Sequence, residues 1–291
     1  MTRPHLILNA GKPKDLALAH AARRSGARVV SAEDVGAAVA DAVARGVERI
    51  VVGGGDGTVH WAAGRVLDLE AAASVALGIV PLGTANDLAR GLGLPLVPEE
   101  ALALALDGSP APIDVGRAAE GWFVNAYSIG LGAEATRRAD PDVKRVLGAF
   151  AYVLSGVASA FDHAATALRI TTADGVREHR VLLASICNTG HVGGFRIVPD
   201  ASPDDGRLDL VAIVDLEPDD PSTVVALLDE IRRGEGENGR HLLRLRGEWF
   251  EFERLESGDA WSNLDGESRP QPARTRIEVA TKRLRVVRPA A

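Results

Sequence analysis

The chain is short of several things. It has one cysteine in 291 residues, Cys187, which excludes an intramolecular disulfide and any metal site built from several thiolates. Aromatic residues make up 4%, so a core must be assembled mainly from Ala, Val, Leu and Ile. Positive charge is in deficit: Lys plus Arg number 33 against 40 Asp plus Glu, a net charge of −7. Such a chain has no global pull on nucleic acid or anionic lipid, and no nucleic-acid partner is expected. Any polyanion it binds must be held by a local site. Long apolar runs are missing as well. The longest, residues 146–161, is interrupted by Ser155 and Ser159; a bilayer crossing needs ~20 apolar residues, so it reads as a buried helix. The apolar stretch Leu6-Ile7-Leu8 is too short for a signal peptide. These absences predict a soluble, cytoplasmic protein. Hydrophobic residues at 46% and charged residues at 25% are ordinary for a globular chain, and its length suggests two domains.

What is present falls into two parts. Over residues 1–112 short apolar runs alternate with helical patterns: strands at 6–8, 28–30, 49–52 and 76–80, helices at 15–25, 32–45, 59–67 and 86–91, with Ser31 where a helix N-cap belongs. That alternation implies a mostly parallel sheet covered on both faces. From residue 113 to 291 the pattern is mostly strands separated by polar turns, at 122–128, 167–171, 180–188, 208–214, 244–254, 274–280 and 284–287. Helices interrupt at 141–161 and 221–233. This part reads as an antiparallel sandwich or barrel.

Two turns carry the chemistry. Gly53-Gly54-Gly55-Asp56-Gly57-Thr58 follows an apolar strand. Its glycines are expected to turn at positive φ and bring N–H groups close to an anion, and the next helix adds its positive end, making a phosphate cradle. It is neither a P-loop, since Gly11-Lys12 runs into Pro13, nor a dinucleotide fingerprint, since His60 stands where the last glycine belongs. The second turn is Pro81-Leu82-Gly83-Thr84-Ala85-Asn86-Asp87, where Asn86 or Asp87 can also be read as a helix cap. In a parallel sheet ligands gather at the carboxyl ends of the strands, so two such turns can close on one nucleotide.

Taken together, these turns resemble the diacylglycerol kinase catalytic domain family, in its bacterial lipid kinase branch. The similarity continues through Ile113-Asp114-Val115-Gly116, Phe123-Val124-Asn125-Ala126-Tyr127-Ser128-Ile129-Gly130, residues 188–201, Asp205-Gly206-Arg207-Leu208-Asp209 and Leu264-Asp265-Gly266-Glu267, in the family's order. The resemblance implies a Rossmann-like, three-layer α/β ATP-binding domain of the NAD kinase/phosphofructokinase type over 1–112. Over 113–291 it implies a β-sandwich that carries the acidic turn and returns its last strand to the first domain. It implies ATP contacts from Asn9, Gly11, Lys12, Ser31, Gly54, Gly55, Asp56, Gly57, Thr58, Val59, His60 and Thr84. Glu267 would be the catalytic base, and Asp265, Asp56, Asp87 and Asp114 would form a carboxylate cluster around a catalytic Mg²⁺. A structural Mg²⁺ would sit at Ser202, Asp205 and Arg207, the last through its carbonyl only. His60 departs from the family's usual Asn and Ala10 from its usual Pro.

The physics of the proposed reaction fits these residue types. Phosphoryl transfer asks for N–H cradles, carboxylates for Mg²⁺ and a base for the acceptor hydroxyl. The Asp-Gly-Glu turn taken alone is also an ordinary exposed hairpin, and Cys187 reads as an inert core thiol. The expected activity is ATP- and Mg²⁺-dependent transfer to the hydroxyl of diacylglycerol or a related lipid, with transient peripheral membrane contact and a homodimer compatible with it. Phosphorylation of a soluble substrate in the manner of an NAD kinase, and a non-catalytic nucleotide-binding regulator, are the alternatives.

Overall fold

The computed structural model describes residues 3–9, 15–130, 165–216, 220–233 and 239–289. The expected helix at 141–161, with its apolar run 146–161, lies outside the described residues, as do Gly11 and Lys12. The chain divides into two compact units. One comprises Met1–Val115, Pro203–Asp205 and Ala280–Ala291, and the other Gly116–Ser202 and Gly206–Val279.

The first unit is α/β. Strands β1 (His5–Asn9), β2 (Arg28–Ala32), β3 (Arg49–Gly54) and β4 (Ala76–Pro81) pair in parallel in the order β2-β1-β3-β4. The end of β17 (Arg274–Val287) adds beyond β4. Helices α1 (Asp15–Arg24), α2 (Val35–Ala44), α3 (Asp56–Asp68), α4 (Asp87–Gly91) and α5 (Pro98–Asp107) make up the rest. β3 is buried from Ile50 through Gly54 and β4 throughout, the continuous apolar run expected when both faces of a parallel sheet are covered. Leu6, Leu8, Val51 and Val80 pack with Leu18 and Ala22 of α1 and with Leu102 and Ala105 of α5.

Two local details differ from the sequence reading. Ser31 is not a helix cap: pairing of Leu8 with Ser31 and Asn9 with Ala32 carries β2 past Val30. Asp34 caps α2 instead, its Oδ1 accepting from Ala37 N at 2.9 Å. Helix α5 is also additional to it. Pro98 opens α5 and two glutamates occupy its first turn, both favourable at a helix start. Gly78 of β4 lets α5 lie close, since a Cβ there would stand 2.7 Å from the Cβ of Ala105.

The second unit is antiparallel. Its longest strand lying wholly within the unit, β9 (Gly175–Cys187), pairs along one edge first with β8 (Thr166–Thr172) and then with β7 (Ala126–Gly130). Along the other edge β9 pairs with β12 (Leu208–Val214), which pairs with β13 (Leu242–Gly247). β8 continues to β14 (Trp249–Arg254) and the start of β17. β7 continues to the hairpin of β15 (Trp261–Leu264) and β16 (Glu267–Pro270). β5 (Pro110–Ala118) ends in this unit paired with β6 (Gly121–Phe123), and β10 (His191–Val192) with β11 (Phe195–Arg196) forms a small hairpin. The core holds Tyr127, Ile129, Ile170, Ile186, Leu210, Phe250, Phe252 and Ile277. A second cluster, with Leu183, Cys187, Val211 and Ile213, packs with Leu227 of α6 (Pro221–Arg233), so Cys187 is a buried core thiol.

Four expected strands are partitioned differently. Residues 122–128 break into β6 and β7, and 244–254 into β13 and β14, whereas 274–280 and 284–287 are one strand, β17. Within it Lys282 adopts φ 49°, and its N–H donates to Asp114 Oδ1 at 2.6 Å, bridging the polar interruption. No helix among the described residues is long and apolar enough to cross a membrane.

Candidate active site

In the first unit the strands run parallel, so their carboxyl ends share one edge. Asn9 ends β1, Ser31 lies one residue before the end of β2, and Gly54 and Pro81 end β3 and β4. The strand order β2-β1-β3 reverses direction between β1 and β3, and that crevice is where an open α/β sheet binds ligands. Helix α3 starts at Asp56, so Asp56, Gly57 and Thr58 form its first turn rather than a loop. The first N–H groups of a helix have no acceptor within it, and the N-cap Gly55 supplies no side-chain acceptor. That is an anion cradle in construction.

The glycines serve close packing, not positive φ. Gly55 has φ −88°, and Gly53, Gly54, Gly57 and Gly83 are absent from the left-handed residues. A Cβ on Gly54 would stand 2.5 Å from the Thr58 side chain. One on Gly83 would stand 2.6 Å from the Cα of Gly55. The two turns therefore touch backbone to backbone. Asn86 fixes the second turn: its Oδ1 accepts from Gly83 N and its Nδ2 donates to Gly83 O, both at 2.9 Å. It sits at φ 50° and makes no side-chain cap. Asp87 begins α4 and is buried, and Leu88 N donates to Asp56 Oδ1 at 3.4 Å, so the acids of the two turns are neighbours. Thr84 and Ser31 are exposed at this edge, whereas Val59 and His60 are buried. The His60 ring meets Trp61 edge-on at 5.6 Å.

In the second unit the Asp-Gly-Glu sequence is a two-residue hairpin turn: Leu264 pairs with Glu267, Asp265 has φ 50° and Gly266 φ 100°, the type I′ geometry of tight hairpins. Asp265 is not an exposed turn acid. It is 7% exposed; its Oδ2 accepts from Val124 N at 2.7 Å and its Oδ1 from Asn125 N and Ala126 N at 2.8 Å each. Those bonds are why β6 and β7 are separate: Val124 and Asn125 give their N–H groups to a carboxylate. Asn125 passes the connection on through Nδ2 to His191 O at 2.9 Å, and Asn188 Nδ2 donates to Val124 O at 2.9 Å. Asn263 Oδ1 accepts from Gly266 N at 2.8 Å. Glu267, half-buried, thus leaves a turn fastened at both ends. Below it Glu120 accepts from Tyr127 Oη, Ser262 Oγ and Thr275 Oγ1 at 2.8, 3.1 and 3.2 Å. Burial, with the Glu120 charge added, pushes the Tyr127 phenol far up, which keeps it a donor.

The expected metal cluster is not formed as four converging acids. Among the described residues no group of three or more His, Cys, Asp or Glu side chains is placed to hold a metal ion. Asp114 is fully buried with Lys282 N on its Oδ1, and Asp265 is committed to three N–H groups. Asp56, half-exposed at a helix start beside the cradle, does suit Mg²⁺, an ion that keeps several waters and is held by one or two carboxylates. Asp205 and Arg207 are exposed and Ser202 half-buried in the turn before β12. The Asp265 clamp, the bonds from Asn86 to Gly83 and the Glu120 cluster are what sequence reasoning missed; apart from Gly83 and Tyr127, their partners are distant in sequence.

Two family models match the chain in consecutive stretches. Residues 16–118 match the diacylglycerol kinase catalytic domain, and residues 125–288 match the YegS C-terminal NAD kinase beta sandwich-like domain. The chain is 37% identical to the "Probable lipid kinase YegS-like" of Chromohalobacter salexigens, over 76% of this chain and 70% of the relative. To the protein of the same name from Pseudomonas aeruginosa PAO1 it is 38% identical, over 87% and 80%. Among solved structures, a candidate diacylglycerol kinase from Bacillus anthracis superposes with TM-score 0.80 at 27% identity, covering 99% of this chain and 97% of that one. An NAD kinase from Archaeoglobus fulgidus, solved with ATP, shares the fold at TM-score 0.58 and 12% identity, over 98% and 93%.

Proposed function

That the chain belongs to the YegS-like lipid kinases, with a diacylglycerol kinase catalytic domain at its front, is the ground on which we propose its reaction: transfer of the γ-phosphoryl group of ATP to the hydroxyl of diacylglycerol or a closely related lipid. The observation that carries this reading is the pair of touching turns at the carboxyl edge of the parallel sheet, with the uncapped start of α3 between them. The first-turn N–H groups of α3 are suited to the phosphates, and Asn9, Ser31 and Thr84 share the same edge. Gly11 and Lys12 belong to the same proposal by sequence.

Glu267 is the proposed base. It accepts the proton of the lipid hydroxyl as that oxygen bonds to the γ-phosphorus, while the bond from phosphorus to the bridging oxygen breaks and ADP leaves with the electron pair. Asp265 is a positioning residue, since its oxygens are spent on holding the turn. Asp56 is the residue that would hold Mg²⁺, and the ion when bound supplies charge neutralisation at the phosphate oxygens. A second ion at Ser202, Asp205 and Arg207 belongs to the same reading.

The test uses γ-labelled ATP, Mg²⁺ and mixed micelles of dioctanoylglycerol, with NAD in a parallel tube, followed by organic extraction. Label in the organic phase, lost in Glu267→Gln and in Asp56→Ala, is the expected result. Label on NAD alone would transfer the protein to the soluble-substrate reading. Near-normal transfer by a purified Glu267→Gln variant would remove that residue from the mechanism.

A further inference from the structure

Aromatic side chains are scarce in this chain, and among the described residues Trp61 and Phe195 are the exposed ones, at 46% and 42%. Trp61 belongs to the body of α3. Phe195 stands at the tip of a hairpin. β10 and β11 pair His191 with Arg196 and Val192 with Phe195. Gly193 and Gly194 close the turn at φ 62° and 86°, the left-handed pair of a tight hairpin. Val192 packs on the cluster that holds Leu183 and Ile213, whereas Gly194, Phe195 and Arg196 are exposed. Arg196 donates from Nη2 to Pro199 O and has no carboxylate partner among the described residues.

The root of the hairpin is fastened to the turn that carries Glu267. Asn125 gives its N–H to Asp265 Oδ1 at 2.8 Å and its Nδ2 to His191 O at 2.9 Å. Thr189 Oγ1 donates to Asn125 Oδ1. Beyond the tip, Ile197 N and Val198 N return to Gly190 O at 2.8 and 3.2 Å. Hairpin and base turn are thus joined through one buried asparagine, at one end of this unit.

Area and charge say what such a tip fits. One aromatic side chain buries about 150–250 Å², and a stable protein interface takes about 800 Å² from each partner. A narrow tip with a single exposed ring falls short of that. A lipid surface makes no such demand: a ring settles where headgroups meet acyl chains, and a neighbouring cation stays with the phosphates. Arg196 is that cation, and anionic headgroups attract it. Asp200 is exposed four residues later, so charge adds little and the ring carries most of the binding.

We infer that the β10–β11 hairpin is the element through which this protein rests on a lipid bilayer, Phe195 inserted and Arg196 at the headgroup phosphates. Its purpose rests on the lipid kinase reading above: an acceptor that resides in a membrane is met by the end of the unit that holds the Glu267 turn. Contact through one ring is weak and reversible. That suits an enzyme that must let its lipid product go.

The experiment sediments the full chain with vesicles of phosphatidylcholine, phosphatidylglycerol and dioleoylglycerol. Phe195→Ser should bind about tenfold more weakly than the wild type, the loss expected when a ring no longer leaves water. Phe195→Trp should bind like the wild type, and its added indole should be quenched by brominated acyl chains. Arg196→Glu should bind phosphatidylglycerol vesicles about tenfold more weakly and phosphatidylcholine vesicles as the wild type does. Each variant should keep the wild-type urea midpoint. With ATP and Mg²⁺, Phe195→Ser should lose transfer to dioleoylglycerol in vesicles and keep transfer to dissolved dibutyrylglycerol. A wild type that does not sediment, unchanged binding by Phe195→Ser, an unquenched indole or equal loss on both substrates would overturn the inference. So would self-association through Phe195 without vesicle binding, which gives the tip to a second copy. Vesicle binding through Phe195 with neither glycerolipid phosphorylated removes the kinase reading and leaves the docking element standing.

Discussion

Asp265 takes three backbone N–H groups into its carboxylate, while Glu267, two residues later, stands half-buried at the exit of the same turn. Their substitutions should part company. Asp265→Ala strands three buried donors and should destabilise the protein by about 3 kcal/mol in urea unfolding. Glu267→Gln should leave the urea midpoint in place and lower kcat by about a hundredfold or more, the usual worth of a positioned base. A second residue-scale effect belongs to His5, buried on β1. Burial lowers its pKa, and the charge of Arg28 lowers it further. The unfolded chain therefore takes up a proton near 6.5 that the folded chain resists. Stability from this group is complete above about pH 6.5 and falls as pH drops from there towards the folded pKa. Urea midpoints measured across that window should decline in the wild type and decline less in His5→Gln.

Strand-to-helix junctions show why a glycine can be demanded by contact. Gly54 closes β3 with its Cα turned against Thr58, so Gly54→Ala should force the first turn of α3 away from the β4 turn. A loss of about 1–3 kcal/mol is expected, as for overpacked sites, with ATP affinity weakened in step when followed by equilibrium binding. Helix α5 depends on a residue from another element. Arg49, at the start of β3, donates from Nη1 to Ala105 O and Leu106 O at 3.0 and 2.8 Å and from Nη2 to Gly108 O at 2.9 Å. It closes the negative end of the helix. Arg49→Met keeps the stem and removes those bonds. It should lower stability by about 2 kcal/mol, read as earlier thermal unfolding with no change in the lipid specificity of the enzyme.

The two units are not consecutive halves of the chain. Residues Ala280–Ala291 belong to the first, where β17 pairs with β4 through Arg285 with Ala76 and Val286 with Leu77. Leu284, Val286 and Val287 are buried there. A chain ending after Val279 should therefore lose its first unit, measured as loss of ATP binding together with early proteolysis within residues 15–115, although every residue of the phosphate turns is still present. Retention of wild-type ATP affinity in that truncation would refute the role given to the last strand.

The sequence by itself determined what depends on neighbours along the chain. Apolar runs and helical periods place most of the strands and helices, and glycine turns after apolar strands mark the edge proposed here for the phosphates. β12 and α6 stand at the residues their patterns indicate, 208–214 and 221–233. The tertiary structure alone decided what each acid does. Asp114, Asp265 and Asp56 look alike in sequence, and only pairings across 168 residues for Asp114 and Lys282, or 141 for Val124 and Asp265, separate an anchored carboxylate from one left at the mouth of a turn. The same holds where a pattern misled: β6 and β7 part because Asp265 reaches their N–H groups, and β17 stays whole because Asp114 holds Lys282. A buried hydrogen bond is chosen by whatever the fold brings within 3 Å, and local preference carries no record of that choice.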